Sequence, residues 1–488
     1  MLDPWIVAFL SAVYMLILFA VAHWGDERAD QGKSIISANV YALSLAVYCT
    51  SWTFFGSVGR ASSGGLSFLT IYIGPTLMLM FTGVILKMIR ISKVYRITSI
   101  ADFIASRYGK SQLLAGLVTV IAVIGIVPYI ALQLKAVSAS LDVLFNRSSE
   151  GVQSWWLDYM FLISMVLALF TILFGTRHLD ATERHEGMVT AIAFESVVKL
   201  ISFVAVGVFV TYGIFGGFAD IFQKVAVTPS LSKLLELDSS RAGTWTAMIL
   251  LSGLAIIFLP RQFQTIVVEN VDESHLKRAV WLFPLYLVLI NIFVLPIALG
   301  GALHYQGQNI NPDTFVLTLP MEYGAEMLAM LVFVGGLSAA TSMIIVETIA
   351  LSTMVCNDLV MPWLLRSEKF SEQKDLSGWL LGIRRAAIIM VLLLGYLYFR
   401  VAGEAYALVG IGLISFAAVA QFAPAMFGGM YWKLGTHSGA IAGLLGGFAV
   451  WLYSLLLPSF AKSGWIGNGF VEFGPFGISL LKAQSLLA

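Results

Sequence analysis

Apolar residues in this chain fall in long runs, and polar residues are confined to the short intervals between them. A helix needs about 20 such residues to cross a bilayer. Twelve stretches fit that pattern: 4–23, 35–57, 66–86, 111–145, 156–175, 187–213, 244–267, 279–303, 324–356, 386–399, 404–429 and 439–457. The fourth and ninth are long enough to tilt or to project past the membrane, and the tenth reads as starting nearer Leu380. The pattern predicts an all-α polytopic membrane protein.

Composition narrows the class. Of 488 residues, 59% are hydrophobic and 12% charged, whereas a soluble domain carries about a quarter charged residues. A net charge of +1 offers no footing for nucleic acid. Cys49 and Cys356 lie far apart in apolar runs, and His23, His178, His185, His275, His304 and His437 show no ligand spacing, so no metal site or cofactor is predicted. The first apolar run leads into charged residues without a cleavage site and reads as a retained span. With the N-terminus outside, the inner loops hold 18 Lys and Arg and the outer loops 8, the asymmetry expected of that orientation.

Two spans look interrupted. The second contains Tyr48, Cys49, Thr50, Ser51 and Trp52 ahead of Gly56, and the seventh contains Pro260 followed by Arg261. Proline removes a helix donor and clashes with the preceding turn. Non-helical backbone at membrane depth survives only where protein or a water-filled cavity covers it. The two breaks are five spans apart, the spacing of an inverted repeat of spans 2–6 against 7–11, although two ordinary kinks would leave the same trace.

Ionisable residues inside spans point to function by default. Glu195 and Lys199 are four apart on span six, share a face, and can pair; they either serve coupling or lock helices together. Glu347 reads as water-facing, packing or functional, Lys135 as snorkelling outward, and Glu183 to Glu186 as solvated surface. The glycines from Gly443 to Gly447 suit close helix packing.

Span nine runs from Leu337 through Ser342 to Asp358 and Leu359 as a Ser/Ala-rich helix ending in an Asp-Leu pair. Gln421 to Pro424, Trp432-Lys433 and Gly439 to Gly443 form a second stretch. In these stretches, and in Trp52 and Gly56, the chain resembles the solute:sodium symporter family with its LeuT-type fold. His23 to Arg28 and Tyr48 to Arg60 are similar to the N-terminal transporter domain of CbrA-type sensor histidine kinases. The resemblance implies a peripheral first span (1–34), a five-helix repeat (35–213), its inverted partner (214–432) and a peripheral span with an outer tail (433–488), truncated before a further span and cytoplasmic kinase domains. It implies a bacterial inner membrane, a bilayer and a small solute as partners, and a response regulator only through a kinase region absent from this chain.

In the resembled family a sodium ion lies between the first break and span nine. Its positions map to Ala46, Cys49, Ala339, Ser342 and Met343. Met343 replaces a hydroxyl, and Tyr48 stands where sodium-coupled members carry an acid. A thioether is a weak acceptor for a hard cation. Sodium coupling is therefore doubtful, and Lys199 with Glu195 is expected to take its place, leaving proton coupling or none. The resemblance puts the solute among Thr50, Ser51, Trp52 and Phe55, Tyr129 and Gln133, Phe258, Arg261 and Gln264, and Phe416 and Gln421. Phe55 and Phe416 read as gates or as lipid-facing packing. The expected function is import of an amino acid, histidine first, serving as the input of a two-component system. The alternatives are a sodium-coupled symporter without signalling or a receptor that does not transport. No catalytic constellation is present in the sequence.

Overall fold

The computed structural model describes residues 3–145, 159–175, 185–236, 242–366, 376–402, 408–465 and 474. His178, Glu183, Arg184 and most of the C-terminal tail lie outside them. The first half comprises α1 (Pro4–Asp30), α2 (Ala38–Ser44), α3 (Ser57–Gly64), α4 (Thr70–Met80), α5 (Thr82–Tyr95), α6 (Ile100–Arg107), α7 (Gln112–Phe145), α8 (Tyr159–Gly175) and α9 (Glu186–Val208). The second comprises α10 (Phe218–Val227), α11 (Ala242–Phe258), α12 (Pro260–Phe263), α13 (His275–Asn291), α14 (Val294–His304), α15 (Phe315–Glu322), α16 (Glu326–Met354) and α17 (Met361–Leu364). Then follow α18 (Ser377–Ala402), α19 (Leu408–Ala420), α20 (Phe422–Tyr431) and α21 (His437–Trp451).

Among the described residues nine helices are long and apolar enough to cross a membrane, and the bent pair of α11 with Pro260–Val268 makes ten. The shorter apolar helices Ala38–Tyr48 and Tyr159–Leu173 account for the rest of the twelve predicted stretches. The third stretch differs from expectation. It kinks at Phe81, where the backbone leaves the helix (ψ 53°), and continues as α5 to Tyr95. The tenth runs from Ser377 to Ala402, longer than its apolar core, because Arg384 and Arg385 lie within the helix near its start.

Both interruptions are real. In the first, α2 tightens into a 3-10 turn at Leu45–Tyr48, leaves helical geometry at Cys49, and resumes as a π-helical turn at Trp52–Gly56. In the second, Leu259 is extended (ψ 129°), Pro260 opens α12, and a π-helical turn at Gln264–Val268 follows. The two halves of this span meet at 57°. π-turns concentrate at functional sites because they disturb the regular hydrogen-bond ladder.

The core is built around α16, whose best membrane-length window is 89% buried. It packs against α9, α7, α8, α18 and α12. Gly336 of α16 lets the Phe55 ring approach so closely that a Cβ there would lie 2.3 Å from Phe55 Cζ. α1 lies outside on α9, with only 22% of its window buried. α4 packs on α11 and α2 on α13, so each broken span is held by a helix from the other half. The glycine run on α21 contributes less than expected. A Cβ added on Gly443 or Gly446 would meet nothing within 4 Å, whereas one on Gly447 would lie 2.9 Å from Gln421 Oε1.

Candidate functional site

Backbone groups freed by a helix break must find partners inside the protein. At the first break these come from two other spans. Ser51 N donates to Gln133 Oε1 (3.1 Å), and Gln133 Nε2 donates to Tyr129 O (3.2 Å). Thr50 Oγ1 caps Trp52 N (3.2 Å) and bonds the Tyr129 hydroxyl (3.0 Å). Lys199 of α9 adds two more: its Nζ donates to Ala46 O (2.9 Å) and Cys49 O (2.8 Å). Lys199 is fully buried. Its ammonium group thus sits on the carbonyl oxygens that the sequence resemblance assigned to a sodium ion. Ala339, Ser342 and Met343 are fully buried nearby on α16, which contacts the same 3-10 turn, and Ser342 Oγ turns back to Ala339 O (3.3 Å).

One expectation about this pair changes. Glu195 and Lys199 do not form a direct ion pair. Glu195 Oε1 instead accepts from Thr341 Oγ1 (2.5 Å), and its carbonyl accepts from Ser338 Oγ (3.0 Å). Lys199 bridges two carbonyls of the break, Ala46 O, which also accepts from Cys49 N (2.9 Å), and Cys49 O.

The second break positions Arg261 differently. Arg261 Nη1 donates to Glu347 Oε2 at 2.8 Å, with both side chains fully buried. The guanidinium carbon lies 4.6 Å from the centroid of the Tyr129 ring, a cation–π distance. Glu347 is therefore not water-facing. Its partner lies 86 residues away, and neither helix taken alone reveals the pairing. Arg261 Nε and Nη2 and Glu347 Oε1 are buried without a hydrogen-bond partner.

Phe416 is the hub of an aromatic cluster over these groups, with ring centroids 5.2 Å from Trp52, 5.7 Å from Tyr129 and 6.3 Å from Tyr48. It is buried, as is Phe55, so neither faces lipid. Phe55 stacks edge-on against Phe54 and lines a small cleft with Lys135, Asp313 and Leu408. Lys135 accordingly turns into a protein cleft, drawn by the Asp313 carboxylate, and does not snorkel into lipid. Burial pushes the Asp313 carboxyl up to about 6, against the opposing pull of the Leu408 N–H and Lys135.

Three expected solute residues stand apart from this cluster. Phe258 packs edge-on against Phe427 (5.4 Å). Gln421 faces Gly447 of α21, with both amide atoms unpartnered. Gln264 Nε2 donates to Glu269 Oε1 (2.8 Å). Glu269 also accepts from His185 N (3.0 Å) and contacts His185 Nδ1 (2.9 Å). Burial pushes its carboxyl up, but the His185 and Gln264 hydrogen bonds outweigh that and hold it below the usual carboxylate range. Glu186 Oε2 accepts from Ser34 Oγ (3.1 Å) and Ile35 N (3.0 Å). His185 and Glu186 are thus ties between the start of α9 and the ends of both broken spans, not solvated surface; the loop sequence gave no signal of this.

No family model matches the chain. It is 23% identical over 434 residues to the uncharacterised symporter YhjB of Bacillus subtilis, an overlap of 86% of this chain and 81% of that protein. It is 24% identical over 438 residues to the uncharacterised symporter YodF of the same organism, covering 87% and 81%. Its structure resembles a Na+-coupled sialic acid symporter in a substrate-bound outward-open state, with a TM-score of 0.61 at 14% identity over 91% of this chain and 97% of that one. At that identity the likeness speaks for the fold alone. With two broken spans, a buried α16 and apolar helices throughout, the chain is an all-α polytopic membrane protein of the LeuT type, five helices and their inverted counterparts.

Proposed function

We propose that this chain is a secondary transporter that binds a small solute at its two helix breaks and is not driven by sodium. The observation that carries the reading is the Lys199 ammonium group on the Ala46 and Cys49 carbonyls. A fixed cation there supplies the charge and the donors a bound ion would supply, and Met343 offers that ion no oxygen. Coupling is then to protons, or absent. The symporter relatives support transport as the activity. The repeats 35–213 and 214–432 rock against each other around the breaks, with the N-terminus outside.

Uptake into liposomes containing the purified chain tests this. Accumulation of a solute that is indifferent to a sodium gradient is expected. Uptake that requires the sodium gradient and ignores a pH gradient overturns the coupling assignment, and no uptake of any solute overturns transport itself. Histidine as solute, and a role as the input of a sensor histidine kinase, rest on the resemblance of residues 23–28 and 48–60. A solute-dependent change in response-regulator output, lost when this chain is deleted, is the measurement for that role.

A further inference from the structure

Three consecutive residues at the start of α9 hold three other elements. Gly187 N donates to Asp26 Oδ1 of α1 (2.9 Å). Glu186 Oε2 accepts from Ser34 Oγ and Ile35 N, just ahead of α2, the first half of the first broken span. His185, through N and Nδ1, meets the Glu269 carboxylate at the end of the second broken span. α9 carries no side-chain cap of its own, since His185 at the capping position makes no such bond. Glu269 and Asp26 bring carboxylates to the amides there, where a helix start favours negative charge. The start of α9 is seated closely on α1: a Cβ on Gly187 would lie 2.3 Å from Ala22 O, and one on Gly25 2.7 Å from Gly187 Cα. α9 in turn packs on the buried α16.

We propose that His185 and Glu186 latch the exit on this side of the breaks. The inference rests on the transporter reading above and deepens it; in the orientation proposed there, this side is the cytoplasmic one. Trp52, Tyr129 and Arg261 between the breaks are at most 1% exposed, so the centre is shut in this structure. Solute leaves only when Glu186 gives up Ser34 and Ile35, Glu269 gives up His185, and both half-helices part from α9. These contacts differ from those at the centre in what their release costs. Lys199 and Arg261 are fully buried, and parting from their acceptors strands a charge at membrane depth. The latch lies at an edge of the bundle: residues 31–34, Asp272 and Ser274 are exposed, and the His185 side chain is 25% exposed. Water there replaces each lost partner, at modest net cost. The half-helices are also joined to each other, since the Tyr41 hydroxyl donates to Ile266 O (2.8 Å). They therefore leave α9 together.

Two measurements test this. In the double variant Ser34→Cys with Glu186→Cys, a short bis-methanethiosulfonate bridges the latch. Cys49 and Cys356 are buried, and S34C and E186C alone control for them. Bridging is expected to abolish liposome uptake, and reduction to restore it. A tie that never opens is bridged without effect, so unchanged uptake after complete bridging overturns the latch. Hydrogen exchange reads the same contacts without any solute. Glu186→Ala, and separately Glu269→Ala, is expected to speed exchange at least about tenfold in residues 38–48 and 260–268 together, with α16 as in wild type. Glu186→Gln keeps an acceptor oxygen and is expected to give a smaller rise. No rise, a rise in one half-helix only, or a rise that includes α16 makes these residues structural ties and overturns the inference. Wild-type liposomes that take up no solute refute the transporter reading, while the exchange pattern still decides whether the two half-helices open together.

Discussion

At the first break side chains from two other spans add to the backbone's own bonds, whereas at the second the freed Leu259 carbonyl is met from within its own span. Cys49 and Ala46 give their carbonyls to Lys199, and Ser51 gives its N–H to Gln133. At the second break Pro260 has no N–H to satisfy, and Leu259 O is taken up by Gln262 N and Phe263 N, both at 2.9 Å. The first break thus consumes a cation, while the second delivers one, Arg261, with part of its bonding capacity unused. Two fully buried cations in one small region have different work. One is spent on backbone carbonyls and the other on a carboxylate.

The largest effect that could break this contrast comes from Lys199. Lys199→Met leaves the Cys49 carbonyl without its donor and the Glu195 charge without a balancing cation, and is expected to destabilise the protein by about 3–5 kcal/mol, read as a drop in the thermal unfolding midpoint. Sodium should recover part of that loss in the double variant K199A/M343S, which restores space and a hydroxyl at the site. Stability of K199M equal to wild type would show that the cation does not hold the break.

A smaller effect sharpens the contrast at the far end of the first broken span. Asp313 accepts from Leu408 N (3.3 Å), and an added Cβ on Gly59 would lie 1.8 Å from Asp313 Oδ1. Its folded pKa, about 6, lies above the ordinary 3.8. The buried carboxyl therefore favours the folded state fully below about pH 4, and that contribution is lost as pH rises through about 6, by about 3 kcal/mol at most. Asp313→Asn should flatten the unfolding midpoint between those pH values; an unchanged slope would exclude Asp313 as its source.

The smallest is Tyr129→Phe, which keeps the ring under Arg261 and removes the hydroxyl that bonds Thr50. A loss of about 1 kcal/mol is expected, with solute binding weakened little. A large loss of binding would mean that the hydroxyl itself touches the solute.

The sequence by itself determined the membrane class, the twelve apolar stretches and both breaks, because these depend on local composition, on Pro260 and on the polar run at Cys49–Ser51. It also placed Lys199 beside the first break through its resemblance to symporters. Only the tertiary structure decided that Lys199 binds carbonyls and leaves Glu195 to Thr341, that Arg261 pairs with Glu347, and that Gln264 and Gln421 turn away from the centre. It likewise joined His185 and Glu186 to the two broken spans. Helical spacing tells which residues share a face, but at membrane depth every polar group seeks the best partner on any neighbouring helix. Those partners, 86 residues apart for Arg261 and Glu347 and 150 for Lys199 and Cys49, are set by packing that no local pattern contains.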